Sequence, residues 1–408
     1  MLWQVIHIAE WLLWGILAVS VGYVVFFALA SKTGRRKETP TGKAASSVLH
    51  DFLVVYPAYH EDAVIRHSVE TFLQQDYPSE HYRLVVVSDH MEEPTNRWLA
   101  MQPLTLIRPD YQKSSKAKAM QAALSECGDW KADSLHRKVV VLDADNIVSS
   151  DFLTRLNRLC QQTDSVIQCH RTAKNADNDI AALDGISEEI NNTLFRKGHN
   201  RIGLSSALIG SGMCFDFDWF RQHVSRLSTA VEDRELEAML MREGIHIHYA
   251  EDLYVLDEKV SSSDNFQRQR LRWMTGQVQA LLGMLSYLPR AIATGNINYV
   301  DKTLQQALLP RSILIALLPM LSLVVTLLYW RWGLKWWALT LCFAVALFMA
   351  IPPQLRTRTL FARLSALASM VWRMLTNLLR MDRKNTDFVH TQHSSSPSPT
   401  NSTPETRP

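Results

Sequence analysis

The stretch Lys138-Val139-Val140-Val141-Leu142-Asp143-Ala144-Asp145 decides the fold, because it has the form of a buried strand that runs into two aspartates. Residues 51–55 and 84–87 are similar apolar stretches, and they run into Tyr56-Pro57 and Ser88-Asp89. A helical pattern of apolar residues separates these two stretches. Strands that alternate with helices predict an α/β fold with a mostly parallel sheet. Ligands of such sheets bind beyond the carboxyl ends of the strands, which is where these polar residues fall.

The segment before this α/β region contains an apolar run at residues 11–30. The run is uncharged and about long enough to cross a bilayer as a helix. A cleaved signal peptide is the alternative, because Ala28-Leu29-Ala30 has the small-x-small form of a cleavage site. No Lys or Arg precedes the run, however, and the run is long for a signal peptide. We therefore expect a retained membrane anchor.

Two further apolar runs, residues 312–330 and 336–351, follow the α/β region and predict two more transmembrane helices. Basic residues orient all three runs. Residues 31–37 carry two lysines and two arginines, so the positive-inside rule places the α/β region in the cytoplasm. The link at 331–335 is also basic, which counts against placing it outside. The segment after Pro353 carries more arginines, and this stronger bias places the C-terminus inside. The sequence thus predicts a multi-pass protein of the inner (cytoplasmic) membrane.

The α/β region and the apolar runs together divide the chain into segments. Residues 354–385 contain an apolar stretch interrupted by arginines, which favours an amphipathic helix at the membrane interface over a further span. From residue 394 the chain is rich in Ser, Thr and Pro and is expected to be disordered. The predicted segments are an anchor (1–30), a basic linker (31–50), the α/β domain (51–275), interfacial helices (276–311), two transmembrane helices (312–353), the amphipathic helix (354–385) and a tail (386–408).

Charge and cysteine content argue against several classes of protein. The formal net charge of +3 is too small to indicate nucleic-acid binding, and no long basic run suggests it. The five cysteines are scattered, odd in number and without a CxxC pair. They fit a reducing compartment and argue against both a disulfide framework and a zinc site.

Four short motifs follow one another along the chain, and their order is more specific than any one of them. They are Tyr56-Pro57-Ala58-Tyr59-His60-Glu61, Asp143-Ala144-Asp145, Val231-Glu232-Asp233 and Gln269-Arg270-Leu271-Arg272-Trp273. The ordered set resembles the membrane-bound branch of glycosyltransferase family 2, which includes the cellulose, hyaluronan and poly-N-acetylglucosamine synthases. The resemblance covers about residues 51–290. It implies a GT-A, Rossmann-like catalytic domain that is flanked by transmembrane helices.

Asp143 and Asp145 form the D-x-D motif of this resemblance. If the strand continues through them, the two side chains share one face. Two carboxylates at a strand end can hold Mg²⁺ or Mn²⁺, which would bridge the two phosphates of a nucleotide sugar. An aspartate turn that caps the next helix is the alternative. A calcium loop is excluded, because Val148 and Thr154 stand where that loop requires glycine and glutamate.

The resemblance also implies a set of donor-binding residues. Asp89 falls on the uracil and ribose side of the nucleotide, although Ser88-Asp89-His90-Met91 departs from the family's D-D-G-S pattern. Lys116 stands at the phosphate-side lysine of a K-A-G-A-L-N-like segment, and a solvated helix face is the alternative for it. The remaining candidates are Pro57, Tyr59, Glu61, Asp143, Gln269, Arg270 and Arg272. A membrane-interface belt is the alternative for the Arg and Trp residues.

Glu232 and Asp233 stand at the catalytic position of the family, where Val231 replaces the usual threonine. An inverting transfer needs a base that takes the proton of the acceptor hydroxyl, and Asp233 is the candidate. The alternative is that these acids are the charged first turn of a helix that ends near Gly244, where they suit the helix dipole.

The acceptor side and the tail complete the candidate site. Trp273 offers a flat ring for stacking on a sugar, and Gly210-Ser211-Gly212 resembles the acceptor-side glycine turn, with a plain loop as the alternative. Residues 388–393 resemble the F-x-V-T-x-K gating loop of cellulose synthases, which implies a donor contact for Thr391. His393 replaces the lysine of that loop, and a disordered tail is the competing interpretation.

These residues lead to one expected function and two alternatives. The expected function is inverting, metal-dependent transfer of a hexose or N-acetylhexosamine from a UDP-linked nucleotide sugar to a saccharide acceptor at the cytoplasmic membrane face. The alternatives are transfer of a single sugar to a polyprenyl-phosphate lipid carrier, and an inactive membrane scaffold that binds nucleotide sugar. Expected partners are the donor, a saccharide or lipid-linked acceptor, and the membrane, but no nucleic acid. Three spans are few for a protein that exports its own polymer, so a homo-oligomer or an export partner is also expected.

Overall fold

The structure is a computed structural model that describes residues 2–33, 48–175, 178–227, 231–259 and 263–357. Most of the basic linker lies outside the described residues. So do all but the first four residues of the amphipathic helix expected at 354–385, and the whole tail with Thr391 and the expected gating loop.

A seven-stranded sheet forms the centre of the described chain, and its strand order is β3-β2-β1-β4-β6-β5-β7. All neighbouring strands are parallel except β6, which runs antiparallel to β4 and β5. The predicted α/β fold with a mostly parallel sheet is therefore confirmed. The strands are β1 (Asp51–Tyr59), β2 (Tyr82–Asp89), β3 (Thr105–Ile107), β4 (Arg137–Val141), β5 (Val166–Ala173), β6 (Met213–Asp216) and β7 (Ile247–Asp257).

Helices cover both faces of the sheet and continue beyond it. Alternate residues of the central strand β1 enter opposite cores: Phe52 and Val54 pack on one face, and Leu53 and Val55 on the other. The helices are α1 (Leu2–Ala30), α2 (Ile65–Phe72), α3 (Glu93–Ala100), α4 (Lys116–Glu126), α5 (Phe152–Gln162), α6 (Asp179–Asn191), α7 (Gly198–Arg201), α8 (Phe217–Val224), α9 (Glu232–Arg242), α10 (Ser263–Leu285), α11 (Leu288–Ala293), α12 (Ile297–Ala307), α13 (Arg311–Leu328) and α14 (Trp330–Ala350).

Two of the predicted strands, β1 and β4, end at other residues than the sequence predicts. β1 continues through Pro57 to Tyr59, where it pairs with β2 alone. The backbone carbonyl of Val55 points towards the side of β4, where its oxygen accepts a hydrogen bond from the Leu142 backbone N–H at 3.1 Å. Pro57, two residues further along, faces the same side of β1 as Val55. β4 has already ended there, because its last residue pairs with Val55. The missing backbone N–H of the proline therefore costs no hydrogen bond between strands. β4 itself ends at Val141, before the two aspartates.

Three helices among the described residues are long and apolar enough to span a membrane, namely Trp3–Ala30, Arg311–Leu328 and Trp330–Ala350. This is compatible with membrane association. The prediction that residues 331–335 link the two helices is wrong. α14 already begins at Trp330, and only Tyr329 separates it from α13. The hairpin is tight: a Cβ at Gly333 would lie 2.1 Å from the Thr326 hydroxyl oxygen.

Helix α1 is built into the rest of the fold. The Tyr23 hydroxyl lies 2.9 Å from His199 Nε2 and 2.9 Å from Asp301 Oδ1. The backbone of α7 approaches α1 so closely that a Cβ at Gly198 would lie 2.6 Å from the Phe27 carbonyl oxygen. A retained anchor stays the prediction for this segment, as does the interfacial position of the helices between α9 and α13.

Candidate active site

A cavity of about 920 Å³ opens at the carboxyl ends of β1, β2, β4 and β7. Most of the residues singled out in the sequence line it: Pro57, Tyr59, Glu61, Asp89, Lys116, Asp143, Asp145, Gly210, Glu232, Asp233, Gln269, Arg270, Arg272 and Trp273. The structure does not bring Ser211 and Gly212 to the cavity wall. The Ser211 side chain is fully buried, and a Cβ at Gly212 would lie 3.0 Å from Val255.

A cluster of three aspartates forms the most acidic part of the cavity. Asp143, Asp145 and Asp257 each offer one carboxylate oxygen, and these oxygens lie within 4.8 Å of one another. A turn positions the first two, since β4 ends at Val141 and they do not share a strand face as expected. Asn146 holds the turn: its side-chain oxygen accepts from the Asp143 backbone N–H at 2.9 Å, and its Nδ2 donates to Asp145 and Asp257 at 3.1 and 3.2 Å.

Asp257 is the site residue that sequence reasoning missed. It ends β7, and the backbone N–H of the next residue, Glu258, donates to Asp145 Oδ2 at 2.8 Å. The signal was the one that identified Asp89 and Asp143, an apolar strand that ends in an acid. Three converging carboxylates are an all-oxygen donor set, which fits a hard divalent cation such as Mg²⁺ or Mn²⁺.

Basic side chains balance the charge of this cluster. Arg171 lies 3.8 Å from Asp143 Oδ2 and 3.8 Å from Asp257 Oδ1. Lys259 donates to Asp257 Oδ2 at 2.8 Å. Burial alone would lower the pKa of Arg171 and of Lys259, but Asp257 and Glu188 outweigh burial and raise both pKa values. Both side chains therefore stay charged and hold the carboxylates in place.

Lys116 connects the aspartate cluster to the expected catalytic helix. It begins α4, where the Ser115 side chain caps the helix by accepting from the Lys118 backbone N–H at 3.2 Å. The Lys116 ammonium group donates to Asp143 and, at 2.8 Å, to the Gly210 carbonyl oxygen, and it lies 3.7 Å from Glu232. Burial would lower the pKa of Lys116, but Asp143 and Glu232 raise it. A permanent positive charge therefore faces the cavity here.

Glu232 and Asp233 form the first turn of α9, as the alternative interpretation expects, and both also line the cavity. Burial raises the pKa of Glu232 to about 7, with Lys116 opposing the shift and Asp233 adding to it. Asp233 accepts from the Arg234 backbone N–H at 2.8 Å through Oδ1. Its Oδ2 faces Gly210, where an added Cβ would approach to 3.8 Å and where φ is +84°. The open side of this carboxylate thus borders the cavity and the glycine turn.

Helix α10 carries Gln269, Arg270, Arg272 and Trp273, which also line the cavity. Arg270 forms an ion pair with Asp184 of α6, and its guanidinium carbon lies 4.5 Å from the Trp273 ring centroid. The side-chain oxygen of Gln269 is buried and has no hydrogen-bond partner among the described residues. The motif therefore lines the same cavity as the aspartate cluster, an arrangement that a membrane-interface belt alone does not require.

Three aromatic rings cluster near Asp89, and of these Tyr59 lines the cavity. Asp89 is buried and lies 2.5 Å from His90 Nδ1. His60 and His90 follow the ends of β1 and β2 with positive φ values of 54° and 56°. The Tyr59 ring centroid is 4.5 Å from that of His60 and 5.7 Å from that of His90. Sequence reasoning did not single out the two histidines, and together with Tyr59 they offer flat surfaces on which a planar base can stack.

The sheet, the acidic cluster at the strand ends and the cavity define a nucleotide-sugar glycosyltransferase with a GT-A fold. The sequence supports the same class directly. Residues 50–276, more than half of the chain, match the model of the family described as glycosyltransferase like family 2. The chain belongs to this family.

Solved structures of glycosyltransferases have a similar architecture. The mannosyltransferase PcManGT from Pyrobaculum calidifontis, in complex with GDP-Man and Mn²⁺, is 16% identical, with a TM-score of 0.50 over 82% of this chain and 96% of that chain. TarS 1–349 from S. aureus, in complex with UDP-GlcNAc, is 13% identical, with a TM-score of 0.42 over 80% of this chain and 89% of that chain. No curated protein sequence matches this chain significantly.

Proposed function

We propose that this glycosyltransferase transfers a hexose or an N-acetylhexosamine from a UDP-linked donor, with inversion, to a saccharide acceptor at the cytoplasmic face of the inner membrane. One observation carries the proposal: the aspartate cluster, Lys116 and Asp233 meet in one cavity at the carboxyl ends of the strands. That arrangement provides a place for a metal-bound diphosphate next to a carboxylate that can act as a base.

Donor binding follows from the charges around the cavity. Asp143, Asp145 and Asp257 would hold a divalent cation, which neutralises charge on the departing diphosphate when it is bound. Lys116 adds a fixed positive charge on the same side, and Asp89 with the neighbouring rings would bind the ribose and the base. If Asp143 bound the metal ion instead of Lys116, the ammonium group of the lysine could contact a phosphate oxygen.

Asp233 would act on the acceptor. The acceptor hydroxyl oxygen attacks C1 of the donor sugar, the bond from C1 to the diphosphate oxygen breaks, and the nucleoside diphosphate leaves with the electron pair. The hydroxyl proton passes to the Asp233 carboxylate. A single displacement inverts the configuration at C1. Trp273, which lines the same cavity, would support the acceptor sugar.

A panel of labelled nucleotide sugars tests this proposal. Purified protein in lipid nanodiscs is incubated with UDP-glucose, UDP-galactose, UDP-N-acetylglucosamine or GDP-mannose, with Mg²⁺ or Mn²⁺ and an extract of membrane saccharides and glycolipids. We expect nucleoside diphosphate release with one UDP sugar and a β-linked product by NMR, since the donors are α-linked. Release from GDP-mannose alone would overturn the UDP assignment, and an α-linked product would overturn the single displacement.

Reporter fusions test the proposed membrane side. A reporter inserted after Lys43 and another at the C-terminus should both read cytoplasmic, because the basic residues after the first helix orient the chain that way. External readings at both points, or a mature chain that starts at Ser31, would exclude a cytoplasmic catalytic domain. The three candidate spans among the described residues are few for export of a polymer, so we also propose that a second copy or another protein completes any export path.

A further inference from the structure

The cavity does not end at the donor site. It continues along α6 into the space between α1, α13 and α14, three helices that are long and apolar enough to span a membrane. Apolar side chains line this extension, among them Val24, Ile190, Ile315 and Leu347. The total volume of about 920 Å³ is near the upper end of the roughly 300–1,000 Å³ usual for small-molecule sites. The extension therefore offers apolar space that a sugar nucleotide does not need.

Two arginines lie where the polar and apolar parts of the cavity meet. Arg311, the first residue of α13, donates to the Ser187 carbonyl oxygen at 3.1 Å and to Asn191 Oδ1 at 2.6 Å. Arg196 lies in the π-helical turn Asn192–Lys197, is only 4% exposed and donates to Asn192 Oδ1 at 2.8 Å. All of these acceptors are neutral. Among the described residues, neither guanidinium group has a carboxylate within salt-bridge distance.

Neither side chain is paired with a carboxylate, although Glu188 and Glu237 lie near enough to Arg196 to oppose the lowering of its pKa by burial. The Nε of Arg196 is buried and makes no hydrogen bond among the described residues. A buried cation without a counter-charge is costly, and a guanidinium group fits phosphate with two parallel hydrogen bonds. An anion with phosphate-like oxygens would satisfy both arginines.

We propose that the saccharide acceptor is joined to a lipid through a phosphate. The phosphate lies between Arg196 and Arg311, the tail lies between α1, α13 and α14, and a hydroxyl group of the saccharide points to Asp233. This inference rests on the proposed function, because the same displacement takes place: the acceptor oxygen bonds to C1, the diphosphate leaves, and the proton goes to Asp233. The inference adds the class of acceptor and the residues that select it.

Binding of fluorescent lipids tests the head group. Full-length protein in phosphatidylcholine nanodiscs is titrated with polyprenyl phosphate and phosphatidic acid, and with their neutral counterparts polyprenol and diacylglycerol. We expect at least one phosphate lipid to bind about 10- to 100-fold more tightly than its neutral counterpart. Arg311→Gln should remove most of that difference, and Arg311→Lys should restore part of it. Arg331→Gln is the matched control, because Arg331 is exposed and lies outside the cavity.

A pair of neighbouring residues on α14 tests the position of the tail. Ala344 lines the cavity, whereas Val345 is exposed and does not line it. Ala344→Trp should weaken binding of the phosphate lipid, while Val345→Trp should leave it unchanged. Thermal unfolding of each variant shows whether it is folded. If both tryptophan variants bind the lipid like the wild type, the tail does not lie in this space.

Donor turnover separates failure of this inference from failure of the proposed function. Release of nucleoside diphosphate to water without added lipid reports the donor site alone, and the wild type should show it. The donor KM of Arg311→Gln should change less than about twofold. A raised donor KM with unchanged lipid binding would assign Arg311 to the donor. Equal affinity for phosphate and neutral lipids, or no lipid binding at all, would mean that something else fills the extension, such as a segment of residues 358–408.

Discussion

The two halves of the cavity differ in how their basic side chains are paired. In the donor half, the cations Lys116, Arg171 and Lys259 each lie beside a carboxylate, so the site is already neutralised from within. In the half that faces the helices, Arg196 and Arg311 contact neutral oxygens. On the proposed function, the donor half would accept a diphosphate together with a divalent cation, whereas the other half would bind a phosphate by itself. The proposal therefore assigns the two ligands by charge pairing.

Asp233 is the proposed base, and its substitution should have the largest effect on turnover. Asp233→Asn keeps the shape of the side chain but removes the base, so kcat should fall by about 10²- to 10⁴-fold while donor binding changes little. Rapid-mixing measurement of product formation and calorimetric titration with UDP check the two parts. A variant that keeps most of its turnover with the natural acceptor would move the base elsewhere.

Glu232 tests the balance of charge in the donor half. Its pKa is raised to about 7, so the side chain is mainly neutral at pH 6 and mainly ionised at pH 8. Once ionised, it competes with the diphosphate for Lys116, and we expect the donor KM to rise by about 3- to 10-fold between these pH values. Glu232→Gln should flatten this dependence.

The control for that pH profile is Glu126→Gln, since Glu126 is an exposed acid at the end of α4, away from the cavity. Its donor KM should follow the wild type at every pH. A pH dependence that survives in Glu232→Gln would show that another group controls Lys116.

Tyr23 tests how α1 is held against the rest of the fold, with the smallest expected effect. Tyr23→Phe removes the hydroxyl that contacts His199 and Asp301, so the free energy of unfolding should fall by about 1–2 kcal/mol. Thermal unfolding in detergent measures the change. Tyr329→Phe, which changes a partly exposed tyrosine in the link between α13 and α14, should have almost no effect. Equal effects of both substitutions would show that the bonds of Tyr23 do not hold α1 in place.

The sequence predicted the donor half of the site better than the other half. Asp89 and Asp143 could be identified because each follows an apolar strand pattern, whereas Lys116 was identified through the resemblance of its segment to the family's K-A-G-A-L-N pattern. Asp257 was missed although it also ends a strand, because more than a hundred residues separate it from Asp145, and the pairing of β7 with β5 and with Ile147 brings them together. The position of β6 between β4 and β5, antiparallel to both, also could not be predicted from local sequence patterns.

The half that faces the helices could not be predicted from local patterns. Arg196 and Arg311 are more than a hundred residues apart, and neither lies in a recognisable motif. They meet only because α6 and the π-helical turn after it pack beside the start of α13. The short link between α13 and α14 was also missed, since basic residues can begin a helix as readily as they can form a loop.

Titration of Mn²⁺ into the full-length protein, followed by electron paramagnetic resonance in the presence of UDP, tests the central claim most directly. The account predicts one tightly bound ion per chain, because Asp143, Asp145 and Asp257 provide one set of converging oxygens. Asp257→Asn and Asp145→Ala should each lose that binding, whereas Asp151→Asn, a change outside the cluster, should keep it. Unchanged Mn²⁺ binding in both cluster variants, or full turnover after verified removal of all metal, would contradict the account.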